Sequence, residues 1–190
     1  MVRTAIALGS NLGNRSRRLR FAIDILSTRL SSLEASAFIE TDAEGTGPQP
    51  PFLNGALVGS WPGSARELLT LLMAVERDAG RERPYPGAPR TLDLDLVLVG
   101  DAIIDEPGLV VPHPRVRDRG FVLRPLREIA PDMTDPVTGR TVADLCRAWE
   151  ERAPVTRTST PAAAVLGPPD GPDGSTLDTR RKIPSPRRHR

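Results

Sequence analysis

The 190 residues include one cysteine, Cys146, two histidines, His113 and His189, and one lysine, Lys182. A lone thiol excludes an internal disulfide and any metal site built on paired cysteines. Two histidines leave no room for a His-rich zinc centre. A P-loop needs a lysine after its glycines to reach phosphates, and no such motif occurs. Lys182 sits in a stretch with little to pack against, which argues against Schiff-base chemistry. No apolar run approaches the ~18 residues of a membrane span. Val2–Gly9, directly behind Met1, has neither the basic segment nor the apolar core of a secretory signal. A cytoplasmic protein in a reducing compartment is expected, with no membrane partner. Aromatic residues are also few: seven in all, with no cluster of the kind that stacks bases on a sheet, so no nucleic-acid partner is expected.

Arginine, in contrast, is abundant: 25 of the 26 basic residues. The composition changes after Trp149, the last aromatic. Residues 154–190 carry 7 Pro, 3 Gly, 7 basic and 3 acidic residues, a net charge of +4 against −2 for residues 1–153. Such a segment buries too little apolar surface to offset its ordering entropy. The expected organisation is therefore one domain over 1–153, followed by a disordered, Pro-rich basic tail over 154–190.

Within 1–153 the apolar period alternates between two types. Thr4–Leu8 reads as a short buried strand. Leu19, Ile23, Leu26 and Leu30 mark one face of a helix over Asn14–Leu30. Glu34–Thr41 and Phe52–Trp61 read as strands, the second with Phe52, Asn54, Ala56 and Val58 on one face. Ser64 and Glu67 form a capping box for a helix that ends at Gly80. Leu92–Val99 is a further strand, and helices follow near Val122–Ile129 and Val142–Arg152. Strand–helix–strand–strand–helix–strand is the order of a ferredoxin-like split βαβ sandwich. The fold class expected is α+β, a mainly antiparallel sheet with helices on both faces.

The most informative segment is Arg90-Thr-Leu-Asp-Leu-Asp-Leu-Val-Leu-Val99. In a strand Asp93 and Asp95 share a face, their Cα atoms about 6.6 Å apart, while Leu92, Leu94 and Leu96 take the other. Two carboxylates on one face repel unless a cation lies between them. Hard oxygen ligands without His or Cys suit Mg²⁺ or Mn²⁺. Around them lie Arg77, Arg81, Arg83, Arg90, Arg115, Arg117 and Arg119, whose guanidinium groups match phosphate oxygens. Acidic ligands beside clustered arginines suggest a nucleoside triphosphate. Three further segments hold candidates. The turn Ala7-Leu-Gly-Ser-Asn-Leu-Gly13 can present N–H groups to an anion or serve geometry alone. Asn54, in Phe52-Leu-Asn-Gly-Ala-Leu57, offers a donor and an acceptor to a heterocycle or a structural bond. His113, between Pro112 and Pro114, is a rigid loop histidine suited to a phosphate contact, general acid catalysis or a structural role.

ALGSNLG, FLNGAL, APRTLDLDLVL and VPHPRVRDRGF occur in an order and spacing that resemble the 6-hydroxymethyl-7,8-dihydropterin pyrophosphokinases, over roughly residues 2–150. The resemblance implies a ferredoxin-like fold and transfer of pyrophosphate from ATP to the pterin hydroxymethyl, giving AMP, in folate biosynthesis. It implies that Asp93 and Asp95 hold two Mg²⁺ on the ATP phosphates and that Arg81 and Arg90 stabilise the migrating group. It further implies ATP contacts at Glu76, Arg83, His113 and Arg119. Pterin contacts are implied at Thr41, Glu44, Phe52, Asn54 and Phe121, the two rings sandwiching the heterocycle. ATP and the pterin are the expected partners, and a monomer is expected.

The sequence departs from the family pattern at Glu82-Arg-Pro-Tyr-Pro-Gly-Ala-Pro89, where the basic and aromatic residues usual in a closing loop are replaced and three prolines restrict the backbone. The stretch Thr41-Asp-Ala-Glu-Gly45 adds acid to the pterin loop, and Pro114 follows His113 where an aromatic or polar residue is common. The alternative reading rests on the first departure: a degenerate homologue that binds ATP or pterin without turnover.

Overall fold

The computed structural model describes residues 1–43, 49–82, 85 and 87–153. The expectations for Glu44, Arg83 and the segment 154–190 lie outside these residues.

The described chain begins with β1 (Val2–Ser10), α1 (Arg15–Ser27), β2 (Ser31–Ala35), β3 (Ile39–Thr41) and β4 (Phe52–Trp61). It continues with α2 (Ala65–Asp78), β5 (Asp93–Val99), the hairpin β6 (Ile104–Glu106) and β7 (Leu109–Val111), and a 3₁₀ turn over Val116–Asp118. Helix α3 (Gly120–Ile129), the short hairpin β8 (Thr134–Asp135) and β9 (Arg140–Thr141), and α4 (Val142–Arg152) complete it. The main sheet has the order β2-β4-β1-β5, with β3 also pairing β4, and its ladders are antiparallel. This is the expected split βαβ order.

Side-chain alternation sorts the sheet onto two cores. Ile6, Leu8, Leu53, Leu57, Leu94 and Leu96 pack with α1 and α2 through Leu19, Leu26, Leu68, Leu72 and Val75. Ala5, Ala7, Ala56, Val58 and Val97 pack on the other face with α3 and α4 through Val122, Leu123, Leu126 and Leu145. Small residues on that second face let α3 approach closely. The capping box forms as the spacing indicated: Ser64 accepts from the Glu67 N–H, and Glu67 accepts from the Ser64 N–H at 2.8 Å. Gly80, at φ +76°, takes the left-handed conformation that ends the helix.

Two features depart from the sequence expectation. The strand expected over Glu34–Thr41 is broken into β2 and β3. Between them Ser36 Oγ accepts the Ala56 N–H at 2.9 Å, so a side chain takes over a ladder bond, and the Phe38 ring lies against Gly55. The hairpins β6–β7 and β8–β9 were not foreseen, because strands of two or three residues carry no readable period.

The β8–β9 hairpin is held by a buried ion pair. Asp135 accepts from Arg117 Nε at 2.7 Å and Nη2 at 3.0 Å, from Thr138 Oγ1 at 2.7 Å and from the Val137 N–H at 3.1 Å. Burial works to raise the Asp135 carboxyl, but these donors hold it below the ordinary carboxylate range. A carboxyl lowered by folding stabilises the fold above its unfolded pKa, and that stability is lost as pH falls toward the folded value. Asp135→Asn should therefore cost about 2 kcal/mol at neutral pH, reduced from the full buried-pair figure because Arg117 is 30% exposed. The gap from wild type should close below about pH 4 in urea denaturation series. A gap that stays constant with pH would refute the charge-based account.

Candidate active site

Strand β5 sits at one edge of the β4-β1-β5 arrangement, and its register with β1 places Asp95 opposite Ala7 and Asp93 opposite Gly9. The two carboxylates therefore leave the same face, as expected, while Leu94 and Leu96 enter the first core. Gly9 leaves little room for a side chain there. A Cβ on it would stand 3.0 Å from Asn54 Oδ1, 3.6 Å from the Phe52 ring and 3.9 Å from Asp93 Cβ. The wall of the site is thus bare backbone that a flat ligand can approach.

A β-bulge shifts the register between Ala5 and Ile6, leaving Val97 without a partner on β1. Its carbonyl accepts the His113 N–H at 3.0 Å instead. The irregularity in the strand thereby anchors the loop that brings His113 and Arg119 over Asp95.

Each carboxylate is already met by guanidinium groups. Asp93 Oδ1 lies 2.7 Å from Arg81 Nη1, and Asp93 Oδ2 pairs with Arg90. Asp95 Oδ2 accepts from Arg119 Nη1 at 2.8 Å. His113 Nε2 lies 3.9 Å from the same oxygen and 3.4 Å from Arg119 Nη1. Burial holds the His113 pKa below its ordinary value, Asp95 opposes that, and Arg119 and Arg115 reinforce it. Because His113 Nδ1 accepts the Arg115 N–H at 3.1 Å, a neutral ring carries its proton on Nε2, toward Asp95.

Glu76 joins this group through Arg81. Its side chain is 5% exposed; it pairs with Arg81 and accepts the Leu94 N–H at 2.7 Å. Through these contacts Glu76 holds Arg81 against Asp93 and ties α2 to β5. Arg81 Nε and Arg119 Nε are buried with no partner among the described residues.

A cavity of about 280 Å³ opens beside the carboxylates. Thr41, Phe52, Asn54, Arg90, Asp93, Asp95, Arg119 and Phe121 all line it, so most of the candidates converge on one space. Asn54 Nδ2 donates to Thr41 Oγ1 at 2.9 Å, which orients the amide. Arg119 lies 5.6 Å above the centroid of the Phe121 ring, so one short segment at the start of α3 supplies both a cation and an apolar wall.

Asp42, Gln49, Gly87 and Arg115 also line the cavity, and none of them was singled out as a site residue. Arg115 gave a signal as one of the clustered arginines, and Asp42 and Gly87 lie in segments that depart from the family pattern. Gln49 Nε2 donates to the Gly87 carbonyl at 2.7 Å, while its Oε1 accepts Asn11 Nδ2 at 3.1 Å. The turn at 7–13 works as a clasp. The Asn11 N–H donates to the Arg90 carbonyl at 3.1 Å, Asn11 Oδ1 accepts the Arg90 N–H at 2.7 Å, and Ser10 Oγ donates to the Thr91 carbonyl at 2.7 Å. These bonds aim Arg90 at Asp93.

Among the described residues, no three His, Cys, Asp or Glu side chains converge on a common point. No described helix is long and apolar enough to cross a membrane.

Residues 5–131 match the family described as 7,8-dihydro-6-hydroxymethylpterin-pyrophosphokinase (HPPK). A 2-amino-4-hydroxy-6-hydroxymethyldihydropteridine pyrophosphokinase of Synechocystis is 40% identical over 143 residues, 74% of this chain and 72% of that protein. The Pseudomonas aeruginosa protein of the same name is 38% identical over 150 residues, covering 77% and 91%. The folic acid synthesis protein fol1 of Pneumocystis carinii is 38% identical over 139 residues, which span 73% of this chain and 19% of that much longer protein. The crystal structure of wild-type Plasmodium falciparum HPPK-DHPS superposes with a TM-score of 0.64 at 13% identity, covering 80% of this chain and 45% of that one. That likeness establishes the fold.

Proposed function

Because the chain belongs to the 7,8-dihydro-6-hydroxymethylpterin-pyrophosphokinase family, we propose that it transfers a pyrophosphoryl group from Mg²⁺-bound ATP to 6-hydroxymethyl-7,8-dihydropterin in folate synthesis. The hydroxymethyl oxygen attacks the β-phosphorus, the bond from that phosphorus to the α,β-bridging oxygen breaks, and AMP leaves with that oxygen. The hydroxyl proton is lost to solvent or to the leaving group. The observation that carries this reading is the juxtaposition of the Asp93/Asp95 pair, ringed by arginines, with a cavity that offers an oriented amide and two phenyl rings.

The donor set fits a hard divalent cation. Asp93 and Asp95 would supply two carboxylates, and with no third His, Cys, Asp or Glu converging on them among the described residues, water and nucleotide phosphates would fill the remaining positions, as is usual for Mg²⁺. Such ions neutralise polyphosphate charge and orient the phosphates. The rest falls to the chain's own groups. Arg81, Arg90 and Arg119 stabilise charge on the migrating group, and Glu76 holds Arg81 in place. His113 donates from Nε2 toward a phosphate oxygen. Asn54 bonds the pterin edge while Phe52 and Phe121 hold its faces. Chemistry of this kind rests on positioning and electrostatics and needs no covalent nucleophile. We assign Glu44 and Arg83 to the pterin and ATP sides on sequence resemblance alone, and we place the activity in residues 1–153.

The test is AMP release from ATP and Mg²⁺ with and without the pterin. Strictly pterin-dependent AMP is the expected result. Nucleotide binding without AMP would overturn the enzymatic reading in favour of a binding module, with the proline-bearing loop at 82–89 as the cause.

A further inference from the structure

We propose that Arg115 is an additional binding residue for the polyphosphate of the nucleotide donor, an inference that rests on the pyrophosphokinase reading of the site. Arg115 lines the cavity and is exposed at its mouth. The other cavity-facing guanidinium groups are committed to carboxylates: Arg90 to Asp93 and Arg119 to Asp95. Arg115 has no acceptor for its guanidinium among the described residues.

Its backbone, however, is fixed. The Arg115 N–H donates to His113 Nδ1 at 3.1 Å, and the Arg115 carbonyl accepts the Asp118 N–H at 3.2 Å. His113 in turn is docked on the Val97 carbonyl at 3.0 Å. The pinned main chain keeps the uncommitted guanidinium within reach of the cavity, so that only its side-chain rotamers remain to be ordered when an anion arrives.

The ligand chemistry follows from charge. The pterin is neutral and has no use for a further cation, whereas a polyphosphate presents several oxygens that a planar guanidinium can bind in pairs. Arg81, Arg90 and Arg119 crowd the floor around Asp93 and Asp95, so Arg115 reaches phosphate oxygens from the mouth side. Because it is exposed, the contact should be worth about 5- to 20-fold in affinity and should weaken with salt.

The experiment measures binding of Mg²⁺ with α,β-methylene ATP, and separately of the pterin, to the full chain as wild type, Arg115→Ala and Arg115→Lys. The expected result is that Arg115→Ala weakens the nucleotide about 5- to 20-fold, with a shallower salt dependence. Pterin affinity and melting temperature should stay at wild-type values, and Arg115→Lys should recover part of the loss. Wild-type nucleotide affinity in Arg115→Ala would overturn this proposal alone. An equal loss of pterin affinity would also overturn it, by showing that Arg115 shapes the cavity as a whole. A wild-type chain that binds no nucleotide would overturn the pyrophosphokinase reading and this proposal with it.

Discussion

Asp95→Ala should reduce pterin-dependent AMP formation by a factor of about 10³ or more while leaving the fold nearly as stable as wild type. The side chain is 34% exposed and its partners are Arg119 and His113 at the cavity, so its loss removes little packing. It does remove one of the two carboxylates proposed to hold the cation. It also frees Arg119 Nη1 from its 2.8 Å partner, so the guanidinium no longer has a fixed aim. Asp95→Asn separates shape from charge: it keeps a group that can face Arg119 but cannot neutralise a cation, and it should be nearly as inactive. Single-turnover AMP release, read beside melting temperatures, decides the matter. An Asp95→Asn enzyme with more than a tenth of wild-type turnover would refute the assigned metal role.

The second large effect lies outside the cavity lining. Gly120 opens α3 between Arg119 and Phe121, and the Trp149 indole of α4 lies directly on it. A Cβ there would fall 2.2 Å from two atoms of the ring. Real contacts of that length do not exist, so Gly120→Ala must displace the indole, and we expect α3 and α4 to move apart with it. Overpacking of this kind costs about 3 kcal/mol, at the upper end of its usual range. The same displacement moves Arg119 off Asp95 and Phe121 off the cavity wall, so activity should fall by more than destabilisation alone explains. Trimming the ring, in a Gly120→Ala/Trp149→Leu double variant, should recover part of both losses. If the single variant denatures at the wild-type urea concentration, the indole contact is not the constraint described here.

Much of the site was legible because its chemistry is local. Asp93 and Asp95 share a face by the two-residue period of a strand, and the leucines between them say which face is core. Arg119 and Phe121 flank the glycine that opens α3. The burial of Glu76 is not legible in the sequence, for a physical reason. A glutamate near the end of an amphipathic helix has a position in the period, but nothing local tells that Leu94 N–H and Arg81 wait behind β5 to bury it. The clasp between Asn11 and Arg90 joins residues 79 apart, and the Gln49 bridge to Gly87 crosses 38. Neither spacing leaves any periodic trace.

The amino-acid order by itself determined the split βαβ succession of the main sheet, the helices on its two faces, the carboxylate pair and the family, because each rests on short-range period or on motifs that survive in linear form. Tertiary structure alone decided which polar groups are committed and which are left over. A hydrogen bond satisfies a donor only when folding brings its acceptor within about 3 Å. So the commitment of Arg90 and Arg119, the burial of Glu76 against Arg81 and the uncommitted guanidinium of Arg115 became visible only once β5, the His113 loop and α3 were brought together.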